Sequence, residues 1–225
     1  MLSSHPLAKR FGYSGLLTAV FALMFIGPLF SGDQWETLVI GVLVILTSGF
    51  AIYAAGNSLP KQVFLGILAV IYVGSHFVHG HLGELDWLIV HRAAGAVLFA
   101  IAALVLLQNI LSARSNITGE LIAGSIVVYL LLAIVFAYLF NLVEMFSPGS
   151  FTFVDRAGFD DPDFFYFSLV TLTTLGYGDV APLAPMARGL ATLEAVIGPL
   201  YLTVLVARLV GMHINLGSSE SGGQK

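Results

Sequence analysis

The sequence contains no cysteine, which excludes disulfides, thiolate metal sites and cysteine nucleophiles. Charge is scarce too: acidic and basic residues make up 10% of the 225 positions, against about 25% in soluble domains. The net charge of −4 comes without any basic run, so nothing points to nucleic acid. No internal repeat or low-complexity segment is evident beyond the short tail GSSESGGQK. Hydrophobic residues instead fill 58% of the chain, and the mean hydropathy of +0.94 is that of a protein residing in lipid.

A helix that spans a bilayer needs about 20 mostly apolar residues. Six runs meet this demand, at 12–31, 36–56, 62–79, 87–111, 120–146 and 187–212, with polar joints such as SGDQWE, GNSLPK, HGHLGELD and SARSNITGE between them. A further apolar segment, Phe164 to Thr173, is too short to span. It suits a re-entrant helix, which a membrane tolerates only where protein surrounds it. Lys9 and Arg10 before the first run resemble the start of a signal peptide. No small-x-small cleavage site is clear near SGDQW and the run is long, so a retained helix is expected.

The few charges then orient the chain. With both termini cytoplasmic, Lys9, Arg10, Lys61, Arg114 and Lys225 fall inside, and Arg208 lies near the inner end of the last helix. Only Arg92, Arg156 and Arg188 fall toward the other side. The carboxylates do the reverse: Asp33, Glu36, Glu84, Asp86, Asp155, Asp160, Asp161, Asp163 and Asp179 all come out external. An acidic outer face concentrates cations.

On that face lies TTLGYGD, Thr173 to Asp179. It reads either as a glycine-rich turn between two helices or as a working segment. Glycine accepts positive φ without a Cβ penalty, so Gly176 and Gly178 let successive carbonyls turn to one side of an extended strand. Thr174, Leu175, Gly176 and Tyr177 then present a column of oxygens, with the Thr174 hydroxyl adding one at the inner end. Such oxygens replace the water around a dehydrated cation. The short helix before them points its partly negative C-terminal end toward the membrane centre, which favours a cation below the column.

The run FFYFSLVTLTTLGYGDVAPLAPMARGLATLEAVIGPLYLTVLVARLVG resembles the pore helix, selectivity filter and inner helix of tetrameric potassium channels, especially small bacterial ones. With the fifth helix, the resemblance covers about 120–213. It implies an all-α membrane protein of six transmembrane helices, with a re-entrant pore helix and filter between the fifth and sixth. It also implies a homotetramer around a central pore, since only a closed ring of carbonyls encloses an ion. The activity implied is passive K+ conduction in a bacterial inner membrane, with no enzyme chemistry and no organic cofactor. Its partners would be copies of the chain and membrane lipids. The corresponding division is a four-helix region at 1–115, a pore domain at 116–213 and a cytoplasmic tail at 214–225.

Position by position, Thr174, Leu175, Gly176, Tyr177 and Gly178 match the family's filter, with Leu in place of the commoner Val, and Thr173 and Asp179 flank it. Some such channels pair the outer-mouth aspartate with a pore-helix glutamate, but Val170 stands there, which puts glutamate-dependent inactivation in doubt. Tyr166 occupies the place of an aromatic donor to the aspartate, so a Tyr166–Asp179 hydrogen bond is expected. Gly198 falls at the family's inner-helix hinge, and Pro199 removes a helix bond next to it; a gating bend and a fixed packing kink are both open. Glu194 is the sole carboxylate deep in the last helix and hence a functional candidate. A hydroxyl such as Thr171 or Thr173 is its expected partner, in conduction, in pH-dependent gating or as a structural bond. Glu144 reads as a solvated or filter-supporting residue.

The fourth run carries one arginine, Arg92, so strong voltage gating by charge movement is not expected. The first four helices would be a scaffold, a lipid-facing collar or a sensor of another kind. His76, His79, His81 and His91 cluster near Glu84 and Asp86, which leaves open a proton sensor, a metal or haem site, or interfacial hydrogen bonding. The alternatives carried forward are therefore a haem or metal protein and a weakly selective cation channel with a histidine-based sensor. After His213 too few residues follow for a soluble regulatory domain.

Overall fold

The computed structural model describes residues 12–26, 36–54, 59–78, 84–112, 118–154 and 161–221. In chain order these form α1 (Gly12–Ile26), α2 (Glu36–Ala54), α3 (Leu59–Val78), α4 (Glu84–Ser112) and α5 (Gly119–Phe146). Then follow β1 (Phe151–Phe153), α6 (Asp161–Leu172), β2 (Val180–Pro182) and α7 (Pro185–Ser221). Each long apolar run overlaps a helix, and the short one overlaps α6. Among the described residues three helical stretches are long and apolar enough to cross a membrane: Trp87–Ser112, Gly119–Phe146 and Pro185–Gly211. Gly12–Ile26, Gly41–Tyr53 and Leu59–Ser75 are apolar but shorter. Helix α7 continues to Ser221, so the tail expected from 214 begins as helix. Lys9, Arg10, Asp33, Arg114, Asp155, Arg156, Asp160 and Lys225, used above for orientation, lie outside the described residues.

Helix α5 is the organising element, and α1, α4, α6 and α7 all pack on it. Its start is written locally: Thr118 is extended (φ −115°, ψ 155°), and its hydroxyl accepts the Leu121 N–H at 3.2 Å. That cap satisfies one of the donors a helix start leaves unpaired. Glu120, one residue into the helix, reaches across to α1 and accepts the Tyr13 and Ser14 N–H groups at 3.0 and 3.3 Å, together with the Ser14 hydroxyl. One carboxylate thus caps the first turn of a helix more than a hundred residues earlier in the chain, favoured by the positive end of the α1 dipole.

Two apolar cores result. The larger joins α1 to α5 through Leu16, Val20, Leu98, Phe99, Leu106 and Leu131. The smaller is aromatic: Phe136 and Phe140 of α5, Phe151 of β1, and Phe164 and Phe167 of α6. Ring centroids lie 4.9 Å apart for Phe140–Phe167 and for Phe151–Phe164, in tilted and edge-on contacts. Each such ring contributes about 1.5–3 kcal/mol by burial, so this cluster seats α6 rigidly against α5.

Candidate functional site

Helix α6 ends at Leu172 and the chain folds back on it. Thr174 N–H donates to Thr171 O at 3.0 Å, and the Leu175 and Gly176 N–H groups both donate to Val170 O, at 2.9 and 3.3 Å. From there φ is positive at every second residue: Thr174 (59°), Gly176 (61°) and Gly178 (80°). In an ordinary pleated strand successive carbonyls point to opposite sides; a switch to positive φ at alternate residues cancels that alternation. Glycine adopts this freely, but Thr174 is β-branched, and its left-handed backbone costs about 1–3 kcal/mol. Residues 173–178 are exposed. Val170 contributes its carbonyl here, while its side chain is buried in the apolar interior.

Asp179 closes the segment. Its Oδ2 accepts the Tyr166 hydroxyl at 2.7 Å, its Oδ1 accepts the Val180 N–H at 3.1 Å, and its carbonyl accepts the Val154 N–H at 3.0 Å. The Tyr166 and Tyr177 rings lie nearly parallel, 6.5 Å apart. Donation to Asp179 pushes the Tyr166 hydroxyl pKa up to about 12. A raised tyrosine pKa means a bond fully present below pH 10 and lost as pH passes about 12, so the pair is intact at physiological pH. Tyr166→Phe is expected to lower the thermal midpoint of the purified protein by about a few degrees, with the fold unchanged. An unchanged midpoint would show that the bond does not hold the segment.

The segment's far end runs into a two-stranded ribbon that sequence periodicity does not announce. β1 pairs antiparallel with β2, with Phe151 opposite Pro182 and Phe153 opposite Val180. Glu144 anchors the turn into β1: its carboxylate accepts the Gly149 N–H at 2.6 Å and the Phe151 N–H at 3.1 Å. Ser150 O in turn accepts Leu183 and Ala184 N–H, at 2.7 and 3.2 Å. Glu144 is thus a buried turn anchor rather than a solvated residue. Glu144→Ala strands two N–H donors and is expected to cost about 1–3 kcal/mol, read as a lower thermal midpoint of the purified protein.

Behind α6 three helices meet in register. Ser168 Oγ lies 2.8 Å from Ala133 O of α5 and also contacts Glu194 Oε1 of α7. One turn on, the Tyr129 hydroxyl of α5 donates to Leu172 O at 2.9 Å, and Gly198 of α7 abuts that same carbonyl. Next, Tyr201 of α7 stacks on Tyr129 at 5.9 Å and donates to Ser125 O at 2.7 Å. The partner of Glu194 is therefore Ser168, not Thr171 or Thr173. Ser168 and Leu172 form the α6 stripe four residues apart that meets Glu194 and Gly198, whereas the Thr173 hydroxyl is spent on Leu169 O at 2.6 Å. Glu194 is fully buried within the chain and does not stand on a free face of α7. Pro199 lies inside α7 and leaves the helix one N–H donor short.

Of the histidines, His91 is buried with Nδ1 2.7 Å from Ser75 Oγ, and its ring stacks on Tyr72 at 4.8 Å. The Tyr72 and Tyr138 hydroxyls bond each other, so α4 connects through α3 to α5. His79 and His81, and the side chain of His76, lie outside the described residues. Among the described residues no three His, Cys, Asp or Glu side chains form a metal-binding group.

Ser168, Tyr129 and the ribbon were not singled out by motif. Only the four-residue spacing of Tyr129 from Ala133, and of Glu194 from Gly198, hints at a shared stripe.

Residues 124–214 match a family model described as ion channel. An inward rectifier potassium channel of Paramagnetospirillum magnetotacticum is 42% identical over 64 residues, 28% of this chain and 18% of its own length. Two pore potassium channel c of Oryza sativa subsp. japonica is 36% identical over 84 residues, 36% of this chain and 18% of its own. Two-pore potassium channel 5 of Arabidopsis thaliana is 37% identical over 57 residues, 25% of this chain and 14% of its own. The chain thus spans less than a fifth of each relative it matches. No solved structure matches it significantly. Residues 124–214 are thus similar to an ion channel family, these relatives are potassium channels, and together with the apolar helices this supports an integral membrane protein.

Proposed function

We propose that the chain is one subunit of a potassium-selective channel, a homotetramer in which four copies of residues 173–179 surround one axis. The observation that carries this reading is the positive φ at Thr174, Gly176 and Gly178, directly after a helix too short to span. In this reading the carbonyls of Thr174, Leu175, Gly176, Tyr177 and Gly178 replace the hydration shell of K+. Thr173, Asp179 and Tyr166 support that column, and Gly198 with Pro199 bends α7. Residues 1–115 form a peripheral four-helix region and 116–213 the pore unit, with both termini cytoplasmic.

Helix α7 supports the tetramer. Leu193, Val196, Leu200 and Val204 are exposed on the isolated chain, a large apolar surface that neighbouring copies would cover. Weak voltage sensitivity follows from Arg92, whose guanidinium sits over the Tyr138 ring at 5.9 Å, in a helix with no other basic residue except His91. Reconstituted into vesicles, the protein is expected to pass K+ in clear preference to Na+. Equal fluxes would favour the weakly selective cation channel, and a Soret band in the purified protein the haem reading.

A further inference from the structure

Three glutamates with defined side-chain surroundings behave differently. Glu120 accepts two backbone N–H groups and a hydroxyl, and Glu144 accepts two backbone N–H groups. In these contacts both only accept. Among the described residues Glu194 meets no N–H donor. Its Oε1 touches Ser168 Oγ, and its Oε2 is buried without a hydrogen-bond partner among the described residues.

The hydrogen count at Ser168 then decides the matter. A serine hydroxyl owns one hydrogen, and a backbone carbonyl can only accept. Ser168 lies 2.8 Å from Ala133 O, so its hydrogen is committed there if the bond to α5 exists. The contact with Glu194 Oε1 is a hydrogen bond only when the carboxyl brings its own proton. An orphaned Oε2 agrees, because a lone carbonyl oxygen is far cheaper to bury than half of an unpaired charge. The titratable group facing it from α5 is Tyr129; α6 offers Ser168, and no basic side chain touches either oxygen among the described residues.

We propose that Glu194 is a protonated carboxylic acid that donates to Ser168, and that this bond makes it a positioning residue for the ion-selecting segment. The second half rests on the channel reading above. The route is short: Glu194 holds Ser168, and two residues later Val170 O holds the Leu175 and Gly176 N–H groups. Loss of the proton would force Ser168 to choose between α5 and α7, and α6 would lose one of its hydrogen bonds to these helices.

Infrared spectroscopy of the full chain in bilayers at neutral pH tests the proton directly. The wild type is expected to show a carbonyl stretch of a protonated carboxyl that moves on deuteration and vanishes in Glu194→Gln. Ser168→Ala should shift that band upward, because its acceptor is gone. Glutamine can donate to Ser168 as the acid does, so Glu194→Gln keeps the wild-type preference for K+ over Na+, whereas Glu194→Ala and Ser168→Ala reduce it. The proposal is overturned by a missing band, by a band that survives Glu194→Gln, or by an assembled Glu194→Gln protein that loses selectivity. Should Glu194→Gln fail to assemble, an unshifted band in Ser168→Ala overturns it instead. If the wild type does not prefer K+, the channel reading fails, and the band still decides the state of Glu194.

Discussion

Gly176→Ala is expected to abolish discrimination between K+ and Na+ while the assembled protein remains intact. The reason is backbone conformation and not space: a Cβ on Gly176 would meet nothing within 4 Å, yet φ is +61°. An L-residue held there costs about 1–2 kcal/mol, and four copies around one axis would accumulate about 4–8 kcal/mol. That is enough to turn the peptide plane away and take a ring of carbonyls out of line. Because Gly178 has φ +80°, its alanine variant should behave alike. Leu175→Val should not, since only the carbonyl of that residue is used. The measurement is K+ and Na+ flux from vesicles, alongside a size measurement of the assembly. Normal selectivity in Gly176→Ala would remove residues 174–178 from the ion path.

The second large effect concerns Gly198, and it separates two roles for that residue. A Cβ there would lie 2.1 Å from Leu172 O and 3.2 Å from Leu172 Cδ1. The first contact is with backbone at the end of α6, so no side-chain rotation relieves it. Either α7 withdraws or α6 shifts, and α6 is pinned by Ser168, by Tyr129 and by the aromatic cluster. Gly198→Ala should therefore cost about 1–3 kcal/mol per subunit, the usual range for overpacking. Lower thermal stability, together with disturbed selectivity, is the expected outcome. A glycine present only as a flexible joint predicts otherwise: unchanged stability and altered opening kinetics. Pro199→Ala is the control, because it restores a helix bond at an exposed position. If Gly198→Ala changes opening kinetics alone, the packing role is wrong.

The features at Gly176 and Gly198 were visible in the chain to different degrees. The apolar runs were plain because lipid supplies no hydrogen bonds, so a spanning backbone must satisfy itself within one continuous segment. The glycines of TTLGYGD were equally plain, since tolerance of positive φ is a property of the residue itself. The pairing of the Tyr166 hydroxyl with Asp179 was implied by the family resemblance, and they lie 2.7 Å apart. Thr174 was another matter. Nothing about a β-branched residue announces a left-handed backbone, which here is imposed by the turn onto Val170 O.

By itself, the sequence determined the medium, the positions of the long helices and the place where the backbone departs from helix and strand. Each of these follows from the local demands of the peptide chain. Tertiary structure alone decided which groups the buried carboxyls meet, and therefore what they do. Ser168 finds Ala133 O across 35 residues and Tyr129 finds Leu172 O across 43, through helix packing that no local pattern encodes. The β1–β2 ribbon, three residues a side, is too short to leave a period of its own. Gly198, a flexible point when seen in one helix, became a contact site once a second helix end arrived 2.1 Å from where its side chain would begin.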